Sequence, residues 1–239
     1  MGGNVLSRSE DLGRMEESYF WSKVKLTLML GLVEGKNVLD VGCGSGRLSK
    51  TLLDKGCSVV AIDNDWRAVE IARKKGITAF FSDINGWKTA EKFDCIILGD
   101  VLEHIEDDKS TIRKVHSMLK PNGCIVVNVP SYQFLFGKHD ITLGHKRRYS
   151  DHELKAKLKA SGFKIEYFRH WNLLAFPIGV LTKISKKDYP HEIVSNITPL
   201  SKLLEKILLL ESRANYSFGI SILCKARKQM LAASFSIKP

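Results

Sequence analysis

Asn37-Val38-Leu39-Asp40-Val41-Gly42-Cys43-Gly44-Ser45-Gly46 is the stretch on which the fold turns. A short run of branched apolar residues carries one acid, Asp40, and ends in three glycines at alternate positions. Branched apolar residues favour a strand. Glycine lets the backbone take positive φ and approach a ligand closely. From Arg47 to Lys55 the pattern reads as a helix, whose first N–H groups lack intrahelical partners. The dinucleotide-binding fingerprint asks for a third glycine after two intervening residues, counted from the second. That position is Arg47, so the spacing here is GxGxG, with an acid two residues before the first glycine.

Outward from this bend, apolar runs alternate with amphipathic stretches, the signature of βαβ units. The expected strands are Asn37–Val41, Ser58–Ile62, Thr78–Phe81, Asp94–Leu98, Cys124–Val129, Phe163–His170 and Ser217–Lys225. Helices are expected at Trp66–Lys75, Lys109–Leu119 and Asp151–Ala160, and a polar loop at Ser131–Ser150. Valine- and isoleucine-rich runs without polar alternation fit strands buried on both faces. The prediction is an α/β, Rossmann-like sheet of seven mostly parallel strands, helices on both faces, and a small helical insertion near the C-terminus. It divides the chain into a helical segment or lid (1–33), a ligand-binding core (34–170), a helical cap (171–215) and a final strand with its tail (216–239). The cap is apolar, with breaks expected at Pro177, Pro190 and Pro199. Tyr19-Phe20-Trp21 reads either as part of a lid or as a helix packed on the sheet.

Composition narrows the class. With 44% apolar and 26% charged residues, the 239-residue chain is an ordinary globular one. No apolar run follows Met1, and none reaches the length of a membrane-spanning helix, so the expected location is cytoplasmic. The five cysteines form no CxxC pair and are expected to be reduced core residues. The net charge of +11 is concentrated late, with fifteen lysines and arginines against seven acids from residue 151 onward. That bias suits an anionic partner, or simply a solvated lysine-rich surface.

The Asp40–Gly46 stretch resembles motif I of class I S-adenosylmethionine-dependent methyltransferases. Asp63 closes the second strand, where the resemblance places an acid on the ribose hydroxyls, with Asn64 beside it. Asp83 follows the third strand, where an acid meets the adenine amino group and the next residue, Ile84, packs on the ring. Leu98-Gly99-Asp100-Val101-Leu102-Glu103-His104-Ile105 is similar to the family's donor-lining segment after strand four. Leu119-Lys120-Pro121-Asn122-Gly123 is similar to its loop before strand five. The resemblance implies S-adenosylmethionine as cofactor and S-adenosylhomocysteine as product. It implies cofactor contacts from Asp40, Gly42, Cys43, Gly44, Gly46, Asp63, Asn64, Asp83, Ile84, Gly99 and Asp100. Each acid also has a plain structural reading; Asp63, for instance, is a fitting N-cap for the helix near Trp66.

Gly144-His145-Lys146-Arg147-Arg148-Tyr149 resembles a stretch in type-11 methyltransferases akin to the ubiquinone-biosynthesis O-methyltransferases. Arg147, Arg148 and Tyr149 are candidate substrate-binding residues, since arginine meets phosphate or carboxylate in a bidentate way. The alternative is that both arginines pair with acids and order the loop. Deprotonating a phenol or alcohol calls for a base that works near neutral pH, usually histidine. The candidates are His145 first, then His104 and His139. Asp100, Glu103 and His104 match an ExxEH stretch proposed to hold a divalent cation in the ubiquinone enzymes, with Asp in the first place. The expectation here is that no metal is bound. The acceptor implied is a small or lipid-like molecule; nucleic acid is the disfavoured partner, peripheral membrane contact a further reading of the apolar, lysine-flanked cap. An RNA or protein methyltransferase and a non-catalytic nucleotide-binding protein are the alternative functions. An NAD-dependent oxidoreductase is disfavoured by Arg47 and the missing Tyr-xxx-Lys pair.

Overall fold

The computed structural model describes residues 20–185, 199–211 and 218–229. Its frame is one seven-stranded sheet in the order β3-β2-β1-β4-β5-β7-β6. The strands are β1 (Asn37–Val41), β2 (Ser58–Asp63), β3 (Thr78–Phe81), β4 (Phe93–Gly99), β5 (Leu119–Pro130), β6 (Phe163–Trp171) and β7 (Ser221–Lys228). The first five run parallel, and β7 lies antiparallel between β5 and β6. From β1 the chain moves outward through β2 and β3, then returns to β4 on the other side. The crevice outside the carboxyl ends of β1 and β4 is therefore the topological switch point, where open α/β sheets bind ligands.

The helices are α1 (Phe20–Leu30), α2 (Arg47–Asp54), α3 (Trp66–Lys74), α4 (Asp108–Met118), α5 (Lys138–Leu143), α6 (Asp151–Ala160), α7 (Ala175–Ser185) and α8 (Pro199–Glu211). Strand side chains alternate between two apolar layers, as the pleat requires. Leu39, Ile96, Leu98, Ile125 and Val127 pack with Ile112 and Val115 of α4 and Leu154 and Leu158 of α6. Val38, Cys95, Ile97, Cys124 and Val126 face the other way, toward Val24 and Met29 of α1, Leu52 of α2 and Leu208 of α8.

Several expectations shift in detail. The last strand begins at Ser221, not Ser217. β5 starts earlier than expected, at Leu119, and Lys120–Gly123 bulges out between the Phe93 and Cys95 pairings. The Ser131–Ser150 segment is more ordered than a loop, holding a 3-10 turn at Gln133–Leu135 and α5. Pro177 does not break the cap; it stands in the first turn of α7, where no backbone donor is needed. Pro199 opens α8 for the same reason, and Pro190 lies outside the described residues. Tyr19 also lies outside them, while Trp21 packs against the α1-side core, which favours the packed helix over a lid. The cap is not wholly buried, since Leu181, Leu203 and Leu210 are exposed. No helix among the described residues is long and apolar enough to cross a membrane. None of the five cysteines is in a disulfide, and four of them are buried.

Candidate active site

The glycine bend has the conformation its sequence calls for. Gly42, Gly44 and Gly46 all have positive φ, at 70°, 53° and 78°. The bend is pinned to the neighbouring strand, with the N–H groups of Gly42 and Cys43 donating to the carbonyl of Ile62 at 2.8 and 3.2 Å. Gly46 does what the third glycine of a dinucleotide fingerprint does, close packing of the turn. A Cβ there would sit 2.5 Å from Ile77 Cδ1 and 3.0 Å from Ala72 Cβ of the α3 layer. A Cβ on Gly42 would come within 2.5 Å of Val101 Cγ2.

The acids sort themselves by their partners. Asp40 is buried and accepts from Ser49 Oγ of α2 at 2.6 Å, tying the strand to the helix. Asp63 is not the N-cap of α3. That role belongs to Asp65, which accepts from the Arg67 N–H at 2.9 Å. Asp63 instead accepts from the Gly44 N–H at 2.8 Å, reaching from β2 into the bend, and from the Asp65 N–H at 2.9 Å. Each of its oxygens keeps a second lone pair for a ligand. Asn64 beside it is exposed. Asp83 is exposed two residues beyond the β3 end, and one oxygen accepts from the Asn85 N–H at 2.7 Å. Ile84 is buried in the core, leaving little of its side chain to lie against a ring.

After β4, Gly99 lies against Met29 of α1, where a Cβ would come 2.9 Å from its Cε. Asp100 takes a left-handed φ of 57°. Its carboxylate accepts from Asn128 Nδ2 and from Lys25 of α1. Asn128 is held in turn by Trp171 Nε1 at 2.8 Å. Burial works against the charge on Asp100, but Lys25 and Asn128 outweigh it and keep its carboxyl below the ordinary range.

The expected acceptor side falls on the chain after β5. Gly144 closes α5 in the left-handed conformation, so the His145 N–H donates to the Asp140 carbonyl at 2.8 Å. The same turn brings His145 Nδ1 to 2.8 Å from Asp140 Oδ1. Asp140 is fully buried and also accepts from Arg148 Nε at 2.8 Å and the Gly137 N–H at 2.9 Å. Burial alone would raise its pKa, yet His145, Arg148 and Gly137 bring it down to about 2. The Lys146 N–H donates to the Glu103 carbonyl at 2.8 Å, docking this segment on the turn after β4. His104 and His145 thereby meet edge to face, ring centres 4.8 Å apart. Burial and the neighbouring His145 lower the His104 pKa. His139, the third candidate, stands at the start of α5, outside this pair of rings.

The three substrate-binding candidates are all drawn into contacts within the chain. Tyr149 is fully buried, its hydroxyl donating to Asp108 at 2.7 Å and lying 3.1 Å from the Leu102 carbonyl, so it props the turn after β4 from below. Arg147 donates to the Glu106 carbonyl at 2.8 Å and pairs with Asp108 at 3.5 Å. Arg148 is spent on Asp140 and the Ser131 carbonyl. The arginines order the loop; the residue that sequence reading passed over is Asp140, whose link to His145 depends on a helix end with no sequence signature beyond Gly144.

The metal expectation is also testable here. Asp100 is unsuited as a ligand, because Lys25 and Asn128 already hold its carboxylate. The residues brought together are Glu103, His104 and His145, whose ligand atoms lie within 4.8 Å of one another.

A family profile described as a methyltransferase domain matches residues 14–175. The chain belongs to this methyltransferase-domain family. The ubiquinone biosynthesis O-methyltransferase of Pseudomonas paraeruginosa is 35% identical over 102 residues, 39% of this chain and 44% of that protein. The mitochondrial enzyme of the same name from Schizosaccharomyces pombe is 31% identical over 118 residues, covering 46% and 43%. The chain thus spans less than half the length of these curated relatives. Among solved structures, the N-methyltransferase NodS of Bradyrhizobium japonicum WM9, in complex with S-adenosyl-L-homocysteine, is similar with a TM-score of 0.60 at 18% identity, covering 91% of each chain. A possible histamine N-methyltransferase of Thermotoga maritima gives 0.65 at 16%, covering 94% of this chain and 96% of that one. At such identities the likeness establishes the methyltransferase fold alone. The [4+2]-cyclase SpnF shares it too, with a TM-score of 0.62 at 20% identity over 88% of this chain and 82% of that one. The reaction of this methyltransferase domain has therefore to be argued from its site.

Proposed function

We propose that this methyltransferase domain transfers the methyl group of S-adenosylmethionine to an oxygen of a small-molecule acceptor. The observation that carries the reading is the grip of Asp63 on Gly44. A carboxylate at the end of β2 holds the glycine bend open in its left-handed form and keeps lone pairs for two ribose hydroxyls. In this reading Asp83, at the next strand end, would meet the base, and Gly99 and Asp100 would line the crevice on the β4 side. The donor arrives activated as a sulfonium, so in-line placement of acceptor and methyl supplies much of the rate. What remains is the acceptor's hydroxyl. His145 supports activation there, because Nδ1–H donation to Asp140 leaves the Nε2 lone pair for the acceptor side. The relatives named for ubiquinone biosynthesis O-methylation favour oxygen over nitrogen as the methylated atom.

Calorimetry with S-adenosylmethionine and NAD side by side tests the donor, with Asp63→Ala as control. Binding of the former alone, lost in the variant, is expected; a preference for NAD would overturn the assignment. A panel of phenols and alcohols with methyl-labelled donor tests the acceptor. His145→Ala is expected to bind donor normally and to lose turnover.

A further inference from the structure

Two thiols lie side by side toward the end of the sheet opposite the glycine bend. Cys95 of β4 and Cys124 of β5 are paired in register on neighbouring parallel strands, and Cys95 pairs on its other side with Val38, near the start of β1. Paired positions point to the same face, and both cysteines join the α1-side layer. Neighbouring strands lie about 4.7–4.9 Å apart, inside the roughly 4.4–6.8 Å between Cα atoms that a disulfide spans. The ladder is irregular at this point. Its pairing shifts between Phe93 and Cys95, beside the Lys120–Gly123 bulge, and a disrupted ladder leaves the backbone room for the small approach that an S–S bond requires.

The two thiols are not equivalent. Cys95 donates its S–H to the Cys124 sulfur, and that bond lowers the Cys124 pKa while raising that of Cys95 well above the ordinary thiol range. Burial opposes the first shift and adds to the second, and the Lys225 ammonium helps to lower Cys124. Lys225 is itself held by Glu34 and by Glu166 at 3.4 Å. A thiolate is the nucleophilic form of cysteine, so Cys124 is the attacking member of the pair. Both side chains are fully buried, but what covers them is a surface turn. Glu34, exposed between α1 and β1, donates its N–H to the Cys95 sulfur.

We propose that Cys95 and Cys124 form a peroxide-sensitive thiol pair that closes into a disulfide across β4 and β5. Opening of the Glu34 turn admits a hydroperoxide, which is the oxidant. The Cys124 thiolate attacks the terminal oxygen; an S–O bond forms, the O–O bond breaks, and the departing oxygen takes up a proton as water or an alcohol. Cys95 then attacks the Cys124 sulfenic acid; the S–S bond forms, the S–O bond breaks, and hydroxide leaves with the Cys95 proton as water. Two thiols have lost two electrons and the peroxide has gained them. The inference is independent of the methyl-transfer reading.

The test treats the full chain with hydrogen peroxide under native conditions, blocks the remaining thiols and maps the peptides by mass. The chain should lose the mass of two hydrogens, with one disulfide joining the Cys95 and Cys124 peptides, and dithiothreitol should restore the starting mass. Cys95→Ser should stop at a Cys124 sulfenic acid that a dimedone probe traps, and Cys124→Ser should leave Cys95 a thiol. Cys95→Ala and Cys124→Ala give the same two readouts without a polar group in the core, and the unmodified chain decides the matter by itself. The proposal is overturned if the pair stays reduced while circular dichroism reports a native chain. It is equally overturned if the disulfide forms only after urea has unfolded the chain, or if Cys43, Cys57 or Cys224 takes the place of either partner.

Discussion

Replacing Asp140 by asparagine should separate its two roles. The carboxylate is buried against His145, Arg148 and the Gly137 amide, and its pKa falls from 3.8 to about 2. A folded-state pKa below the unfolded one adds stability that is complete above the unfolded value and lost as pH falls through the folded value. A shift of this size corresponds to roughly 2–3 kcal/mol at pH 7. At pH 3 the unfolded chain is mostly protonated at this site and the folded one mostly not, so about half of that contribution remains. The variant also strands Arg148, only 12% exposed, without its countercharge. For a chain of this length, each kcal/mol is about 2–4 °C in Tm, so calorimetry should record a drop of about 5–10 °C at pH 7. The gap to the unmodified chain should be flat from pH 8 to about 5 and should narrow toward pH 3. A gap that does not change with pH, or a drop under about 2 °C, would refute the charge-based account. Turnover should fall by about 10²–10⁴-fold with donor affinity unchanged, since asparagine no longer enforces the His145 tautomer.

Three further outcomes follow from the same geometry. Gly46→Ala forces a Cβ to 2.5 Å from Ile77 at a φ of 78°, and should cost about 1–3 kcal/mol in urea unfolding and weaken donor binding. Tyr149→Phe removes the hydroxyl bond to Asp108 and should lower stability by about 1–2 kcal/mol while leaving the acceptor KM unchanged, as befits a buried prop. Asp63→Asn should weaken S-adenosylmethionine binding in calorimetry by about 10–100-fold, because the charge-assisted bond to Gly44 and the one proposed to the ribose would be lost together.

The glycine bend and the strands around it were legible from the chain alone because their conformation is local. β1 and β3 begin and end where the apolar runs do, and the three glycines adopt the positive φ that only glycine takes without strain. Asp40 and Asp63 sit at strand ends that hydrophobic periodicity locates. The order of the edge strands, with β7 inserted between β5 and β6, is long-range pairing that no local pattern encodes. The acceptor half was decided by tertiary structure for the same reason. Arg147, Arg148 and Tyr149 look like substrate ligands in a row of letters, but Asp108 and Asp140 had already claimed them, and those acids arrive from other elements. Likewise nothing in the sequence distinguishes Asp140 from any surface acid, or pairs Glu103 with His145 some forty residues on. Backbone conformation is written residue by residue, whereas the partner of a polar side chain is settled only when distant segments are packed together and water is excluded from between them.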